Sequence, residues 1–513
     1  MSERPEADAV LLDAGAVRAP GLRRTLGLVG RGLGPLVAAQ ATNAAGNFVS
    51  LAMIARAVGP ASYGEFAVYA ATALVVAQLS DVGLARTITL LASTDAERAR
   101  PGDLRAAYTT AWTARLAIHL GAIAAVGCLA AVLWSAGLPL LAYFAAGSGA
   151  GLAVSLAQFA GGVLQAERRF LAVAALNGLP GTLRVAMAGG LWAAGRLDMA
   201  SASVIYTLAP LLAVAAVAPW LPLALGGGLR GSRLAPARRL WRVARWLALA
   251  GAFDALSQRV DVLGLRLFSN ATQTGIYAGA YIFISAINFV VLSVNALSYP
   301  LLAAATARDD WGGARRIASA STAVLAVAGV PLVAAMVTLF PALAPAVLGA
   351  GYAAGSAVMP LLGLFGVAAV LQLNTPVVYL AAGRPGWVLR WSMGLAAADT
   401  LAIVALVPGH GAAGAAAAIA LGTALMLPVS WWSVRRLLGP ATPWRTLAIT
   451  AALVVPGAVT VTAGRGLGAH GQLLLGAVTW SAVTVALLVL TARDTEPLFA
   501  AARSRRAAGG ADA

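Results

Sequence analysis

Residues 315–340 read RRIASASTAVLAVAGVPLVAAMVTLF: two arginines, then a run from Ile317 to Phe340 without a charged side chain. A helix needs about 20 mostly apolar residues to cross about 30 Å of hydrocarbon. The run therefore predicts a transmembrane helix whose start is marked by basic residues. Its continuous apolar character argues against a barrel strand, in which apolar and polar residues alternate.

Apolar runs of this kind recur along the whole chain. Of its 513 residues, 60% are hydrophobic and 11% are charged, which lies outside the range of soluble proteins. The sequence therefore predicts an all-α membrane protein with about fourteen transmembrane helices, numbered here as spans 1 to 14 in chain order. Their expected positions are 34–57, 66–91, 107–133, 138–164, 171–194, 201–225, 243–268, 275–303, 316–340, 355–381, 387–407, 411–434, 444–463 and 470–492.

The arginines between the spans lie mostly on one side of the membrane. The net charge is +17, the chain has no lysine, and all 36 basic residues are arginine. In the loops that follow odd-numbered spans, the only arginines are Arg56, Arg196 and Arg465. An arginine excess beside span ends marks the cytoplasmic side, so both termini are predicted to be cytoplasmic. Because the charge follows the topology, no nucleic-acid partner is expected.

The loops predicted to face outward leave little room for catalysis. The longest irregular stretch, 341–355, is apolar and carries no acidic residue. The histidines, at positions 119, 410 and 470, are scattered over three regions, so no metal-ligand cluster is expected. The sequence therefore predicts a protein that is not an enzyme and that uses no metal or cofactor.

Charges inside the spans are the strongest functional signal. A charged side chain at the bilayer centre costs about 2.5–3.5 kcal/mol, so it normally faces a cavity or a partner. Span 7 holds Asp254, Arg259, Asp261 and Arg266. At 100° per residue the two aspartates share one face and the two arginines another, and no acid–base pair has the spacing of an intrahelical bridge. Their partners must come from water, a ligand or other helices, and Arg266 also lies close enough to the external end to reach the interface.

Other spans carry single charged residues whose roles the sequence leaves open. Arg115 and His119 share a face of span 3 and favour a structural pair. Arg184 follows the Pro180-Gly181 break in span 5, and a cavity role and a structural role weigh equally. Asp399 is central in span 11, where helix packing is the preferred interpretation, and Asp81 lies near the cytoplasmic end of span 2.

Two uncharged polar stripes accompany these charges. Asn43 and Asn47 share a face of span 1, while Tyr281, Asn288 and Asn295 recur every seven residues in span 8. Such residues often hold transmembrane helices together, at about 0.6 kcal/mol each. The alternative is a polar wall that offers hydrogen bonds to sugar hydroxyls.

Several motifs resemble those of one transporter family. They begin with ARAVGPASYGEF at 55–66 and DVGL at 81–84, and continue with Asp261, TGIYA at 274–278 and Pro300. Leu348-Gly349 with Tyr352, and Ala382-Gly383-Arg384, follow in order. Together they resemble the polysaccharide-biosynthesis (oligosaccharide/O-antigen type) flippases of the multidrug/oligosaccharidyl-lipid/polysaccharide exporter superfamily.

The resemblance implies two six-helix lobes around a central cavity, plus two C-terminal helices. The expected division is a cytoplasmic basic tail at 1–33, an N-lobe at 34–225, a cytoplasmic basic linker at 226–242, a C-lobe at 243–434, spans 13 and 14 within 435–492, and a cytoplasmic tail at 493–513. A shift of 211 residues places Gly64 on Gly275, Asn43 on Asp254 and Asn47 on Gln258, which is a trace of an internal repeat.

The resemblance also implies a substrate, an oligosaccharide linked through diphosphate to a polyprenol lipid. It would be moved from the cytoplasmic to the outer leaflet of a bacterial plasma membrane by alternating access, with the polymerase and export machinery as possible partners. The expected substrate-binding residues are Arg259, Arg184, Arg115, Asn43, Asn47, Asn288 and Tyr281. Asp254 and Asp261 are the candidates for accepting a coupling proton or sodium ion.

Three other functions stay open at this point. A drug or cation antiporter of the same superfamily would need an acid-rich cavity, whereas the spans here hold four arginines and four aspartates. A flippase for the peptidoglycan precursor would use similar chemistry. A non-transporting membrane scaffold would require all the intramembrane charges to pair between helices.

Overall fold

The chain is helical throughout the part that can be described. The computed structural model describes residues 22–81, 108–128 in part, 140–167, 169–221, 249, 251–372, 374–498 and 500. Its α-helices are Leu22–Asp81, Leu140–Ala166, Phe170–Ala193, Met199–Val217, Val260–Phe268, Ala271–Ile284, Ile287–Thr306, Trp311–Val347, Met359–Gln372, Thr375–Ala381, Pro385–Leu438, Trp444–Ala463 and Gly468–Leu490. No strand occurs in these ranges.

Eight helical segments of this part of the chain are long and apolar enough to cross a membrane. This finding confirms an all-α multi-pass membrane protein, while the count of fourteen spans stays a prediction. The basic linker 226–242 lies outside the described residues, as do most of the two tails, 82–91 of span 2 and part of span 3. The first helix begins at Leu22, inside the predicted N-terminal tail.

Two long helices each contain a pair of predicted spans. Leu22–Asp81 holds spans 1 and 2 and breaks at Gly59, where φ is +74°. Pro385–Leu438 holds spans 11 and 12 and breaks at Gly411, where φ is +53°. Glycine adopts positive φ without the steric penalty that a side chain brings, so each break reverses the chain without a long loop.

Two predicted spans are interrupted near residues of the candidate site. Span 7 breaks at Gln258–Arg259, just before Val260–Phe268. Span 8 breaks at Ser285–Ala286, between Ala271–Ile284 and Ile287–Thr306. Broken membrane helices release backbone polar groups and are common beside transport sites.

Spans 1 and 5 pack closely at a crossing of two glycines. A Cβ added at Gly46 would lie 2.6 Å from the carbonyl carbon of Gly181. A Cβ added at Gly181 would lie 2.7 Å from the Cα of Asn43. Small residues let membrane helices approach to this distance, and the crossing places the asparagine face of span 1 directly against span 5.

The two halves of the chain meet at a second glycine crossing, between spans 2 and 8. A Cβ at Gly64 would collide with the carbonyl oxygen of Ala271, and one at Gly275 with that of Pro60. Pro60 and Ala271 are 211 residues apart, as are Gly64 and Gly275. The contact is thus reciprocal, as a two-fold relationship between repeats requires, and it supports the repeat inferred from the sequence.

Spans 13 and 14 pack on the outside of span 9. Gln472 donates a hydrogen bond from Nε2 to the carbonyl of Thr338 at 3.0 Å, and the Trp480 indole donates to the Thr338 hydroxyl at 3.1 Å. Exposed apolar residues such as Val459 and Val478 cover the other faces, as lipid contact requires. The C-terminal hairpin is therefore peripheral to the contact between the halves.

Candidate functional site

Arg184 lies among neutral and aromatic groups in the N-terminal half. Its Nη1 donates to the Asn47 side-chain oxygen at 2.9 Å, and its guanidinium carbon lies 4.6 Å from the centre of the Tyr206 ring. Its Nε is buried and has no partner in the described part of the chain. No carboxylate there bonds to it, so its positive charge is held in place without being neutralised.

Asn43 occupies the crossing of spans 1 and 5, one turn from Asn47. Its side-chain oxygen is buried and has no hydrogen-bond partner among the described residues. The sequence predicted that Asn43 and Asn47 share a face of span 1. The structure agrees, since both residues lie against span 5. A ligand role for Asn43 stays a prediction.

Arg259 lies at the break in span 7 and is half-buried. Its side chain makes no hydrogen bond and no ion pair with any described residue. It acts electrostatically on Asp261, Tyr277 and Tyr281 of its own half. A guanidinium with no protein partner inside a membrane domain is the arrangement that a bound anion or water would complete.

Tyr63 belongs to an aromatic cluster beside Arg184. It lies just before span 2, and its ring centre is 5.9 Å from that of Phe66. Tyr206 is the ring beneath Arg184, and it packs edge-on against Phe66 at 5.9 Å. Tyr63, Phe66 and Tyr206 therefore form one aromatic cluster against which Arg184 packs.

Asp261 and Asp254 have different surroundings. Asp261 is 3% exposed and accepts hydrogen bonds from the Tyr277 hydroxyl and from the Val262 backbone N–H. Asp254 is half-buried and accepts a 2.7 Å hydrogen bond from the Gln258 side chain. The break between the two aspartates separates them, because helical periodicity does not continue through Gln258–Arg259.

Asp399 bonds to span 7, through a contact between helices of the kind that the sequence favoured for it. It is 3% exposed, and one of its oxygens accepts a hydrogen bond from the Ser257 hydroxyl. The other oxygen is buried without a partner in the described chain. Asp399 also interacts electrostatically with Asp261. The signal in the sequence was its central position in span 11, but Ser257 lies 142 residues away and nothing local connects them.

The polar stripe of span 8 is not continuous. Tyr281 is half-buried and stacks between Tyr277 and Phe365, each with its ring centre 6.1 Å away. Asn288 is exposed, beyond the break at Ser285–Ala286. The seven-residue spacing assumed one uninterrupted helix, so the break places Tyr281 and Asn288 on separate helices.

Arg115 packs inside the N-terminal half against span 4. Its Nε donates to the Ser155 hydroxyl at 2.6 Å, and its Nη2 lies 3.3 Å from the Gln158 side-chain oxygen. His119 hydrogen-bonds to the Ser148 carbonyl at 3.2 Å. With Arg115 only 1% exposed, these contacts favour the structural interpretation of this pair over a ligand role.

A small pocket lies elsewhere, between spans 9, 10 and 12. It is lined by Ala318, Thr322, Leu371, Asn374, Thr375, Val378, Trp431, Val434, Ala441 and Thr442. None of the predicted site residues lines it. The central cavity between the lobes, and the assignment of residues to it, therefore stay predictions.

Solved structures with this arrangement of helices are transporters and a flippase. An inward-facing multidrug resistance MATE family transporter of the MOP superfamily superposes with a TM-score of 0.62 at 12% identity, covering 77% of this chain and 94% of that chain. The lipid II flippase MurJ in an inward closed conformation gives 0.62 at 8% identity, covering 87% and 97%. A MOP superfamily transporter from Pyrococcus furiosus gives 0.57 at 12% identity, covering 86% and 99%. The chain therefore has a MOP-type transporter fold.

The sequence shows the family to which this chain belongs. The family model of the polysaccharide biosynthesis proteins matches residues 29–305, which is more than half of the chain. The chain belongs to that family, and the resemblance inferred from its motifs is confirmed. No curated protein sequence shows significant similarity to it.

Proposed function

We propose that this protein is a flippase that moves a polyprenyl-diphosphate-linked oligosaccharide across the membrane by alternating access. The observation that carries the proposal is the state of its intramembrane arginines. Arg259 has no hydrogen-bond or ion-pair partner among the described residues, and Arg184 has only a neutral one. A guanidinium fork suits phosphate oxygens better than any other anion-binding side chain.

The two arginines belong to opposite halves, Arg184 against Tyr206 and Arg259 at the break in span 7. In the proposal, one diphosphate headgroup binds both arginines and so contacts both halves at once. Asn47 and Asn43 lie beside Arg184 and offer hydrogen bonds to the attached sugar. The polyprenol chain stays in the bilayer, while rocking of the halves exposes the headgroup to the other side.

The buried aspartates supply the coupling step of the proposal. Asp261 and Asp399 lie near each other, and one Asp399 oxygen lacks a partner in the described chain. A proton or a sodium ion bound there would relieve the repulsion between two carboxylates in a low-dielectric site. Asp254, half-buried beside Gln258, is the second acceptor in the same span.

Substitution of Arg259 tests the proposal. Arg259→Ala removes the unpaired guanidinium, and a charge-assisted contact is worth about tenfold to a hundredfold in binding. We expect polymer export to fall by at least that factor in cells that depend on this chain, with membrane levels unchanged. Arg259→Lys keeps the charge without the fork and should lose less.

The matched control for Arg259→Ala is an arginine outside the spans. Arg230→Glu reverses a charge in the basic linker between spans 6 and 7, and its effect on export should be mild. Normal export by Arg259→Ala at wild-type membrane levels would remove Arg259 from the site.

An antiporter for cationic drugs is the alternative of a different substrate class. Such a protein needs carboxylates open to the ligand, whereas Asp261 and Asp399 are each 3% exposed and bonded to hydroxyl groups. Arg259 is the more exposed group. Drug-sensitivity profiles of a deletion strain would decide, since the proposed flippase predicts unchanged drug sensitivity and a surface-polysaccharide defect.

A further inference from the structure

Arg266 lies at one end of the molecule and forms an ion pair with an acidic residue of the other half. The outer end is the end of the two halves that carries residues 58–64, 269–270 and 348–358, which the arginine distribution predicts to be extracytoplasmic. There, Arg266 of span 7 binds Glu65, just before span 2, with a 2.8 Å ion pair. The side chains are 21% and 14% exposed, so little water screens the contact.

Other contacts at the outer end also join the halves. Tyr352 donates its hydroxyl to the Ala55 carbonyl at 3.0 Å, and Arg56 donates to the Ala346 carbonyl. These bonds and the Gly64–Gly275 crossing involve neutral groups or fixed backbone on at least one side. The Glu65–Arg266 pair is different, because both partners are charged side chains, so a competing anion would displace a carboxylate from the guanidinium.

The geometry of the ion pair leaves one oxygen of Glu65 without a partner in the described chain. Nε and Nη2 of Arg266 both donate to Oε1 of Glu65, at 3.1 and 2.8 Å. Oε2 of Glu65 is buried and has no partner in the described chain. Two parallel bonds to two oxygens would be the stronger arrangement, and a phosphate group supplies several oxygens in the right positions.

Arg266 also lies on the path away from Arg259. The two residues are seven positions apart on span 7. Arg259 directly precedes the helix Val260–Phe268, which carries Arg266 in its last turn, so at 1.5 Å per residue the separation along the helix is about 10 Å. A phosphate released by Arg259 toward the outer end would meet Arg266 next.

We propose that Arg266 is an exit subsite for a phosphate-bearing headgroup, and that binding there displaces Glu65 and unlocks the outer end. The inference rests on the proposed function for the identity of the ligand. In the closed state Glu65 occupies the subsite and holds spans 2 and 7 together. Substrate arrival replaces the carboxylate, so opening occurs only when a headgroup is ready to leave.

The test uses a defined probe and a matched pair of variants. Spin labels are placed at exposed Ala194 and Ala354, one at the outer end of each half, in a Cys128→Ala background. Farnesyl diphosphate is the probe, and farnesol, which lacks phosphate, is its control. Glu65→Gln and Arg266→Gln break the same ion pair, but only the first keeps the guanidinium.

We expect farnesyl diphosphate, and not farnesol, to lengthen the distance between the labels in the wild-type protein. Both variants should show the longer distance without the probe. Glu65→Gln should bind the probe about threefold or more tightly than wild type, because the competing carboxylate is gone. Arg266→Gln should show no such gain. The exchange of both residues, Glu65→Arg with Arg266→Glu, should restore the short distance.

Each contrary result removes a defined part of the proposal. Wild-type label distances in both single variants would show that the ion pair does not keep the outer end closed. Equal probe affinity in Glu65→Gln and Arg266→Gln would show that Arg266 binds no phosphate. Failure of the wild-type protein to bind the probe would overturn the proposed function. The distances measured without the probe would still test, independently, whether the ion pair keeps the outer end closed.

Discussion

At the scale of single residues, the sequence located charges but not their partners. A lone aspartate in the middle of an apolar run is visible in any sequence, and Asp261 and Asp399 were both noticed for that reason. Their surroundings differ from the helical-wheel expectation because the partners are Tyr277 and Ser257, on other helical segments. Contacts across 142 residues depend on the packing of whole helices, which no local pattern records.

Substitution of Asp399 tests its part in ion coupling. Asp399→Asn keeps the size of the side chain and the acceptor for Ser257, but it removes the group that can bind a proton or a cation. We expect transport driven by an ion gradient to be lost, while farnesyl diphosphate affinity changes by less than about threefold. Transport and binding are measured on the same reconstituted protein.

The control for Asp399→Asn is an acid outside the membrane. Asp309 is exposed at the end of span 8, and Asp309→Asn should leave both transport and binding unchanged. Retention of gradient-driven transport by Asp399→Asn would assign Asp399 to helix packing, as the sequence favoured.

At the scale of helices, apolar runs predicted where membrane-crossing segments lie but not where they break. Spans 7 and 8 read as uninterrupted, since neither break contains proline or glycine: the residues are Gln258–Arg259 and Ser285–Ala286. Helix kinks usually occur at proline or glycine, so the local sequence did not predict these breaks. The breaks determine which residues can belong to one site, because they separate Asp254 from Asp261 and Tyr281 from Asn288.

The glycine crossing between the halves gives a prediction at this scale. Gly275→Ala would drive a methyl group into the Pro60 carbonyl, whose backbone position cannot yield without moving span 2. We expect the label distance between positions 194 and 354 to increase without any ligand. Gly190→Ala is the control, because a Cβ there meets nothing within 4 Å and alanine favours a helix by about 0.5–1 kcal/mol. An unchanged distance in Gly275→Ala would contradict the close contact.

At the scale of the whole molecule, two-fold reciprocity links the repeat to the mechanism. Equivalent residues of the two halves touch each other at Gly64 and Gly275, so the pseudo-symmetry axis passes near this crossing. The Arg266–Glu65 pair has no such counterpart, since position 65 of one repeat corresponds to Ile276 in the other. The ion pair therefore occurs on only one side of a pseudo-symmetric contact, which suits a bond whose release triggers opening of the outer end.

The direction of transport depends on which end of the molecule faces the cytoplasm, and the arginines predict it. The end with Arg315, Arg316, Arg435 and Arg436 is strongly basic, whereas the loops at the outer end carry single arginines such as Arg196. Moving clustered arginines across a bilayer is unfavourable, so the basic end stays inside. In a Cys128→Ala background, a cysteine at exposed Gly466 or Ala194 should react with an impermeant maleimide in intact cells, and one at exposed Pro440 should react only after lysis. Labelling of Pro440→Cys in intact cells would show that the predicted topology is inverted. Arg266 would then lie at the entrance of the transport path instead of at its exit.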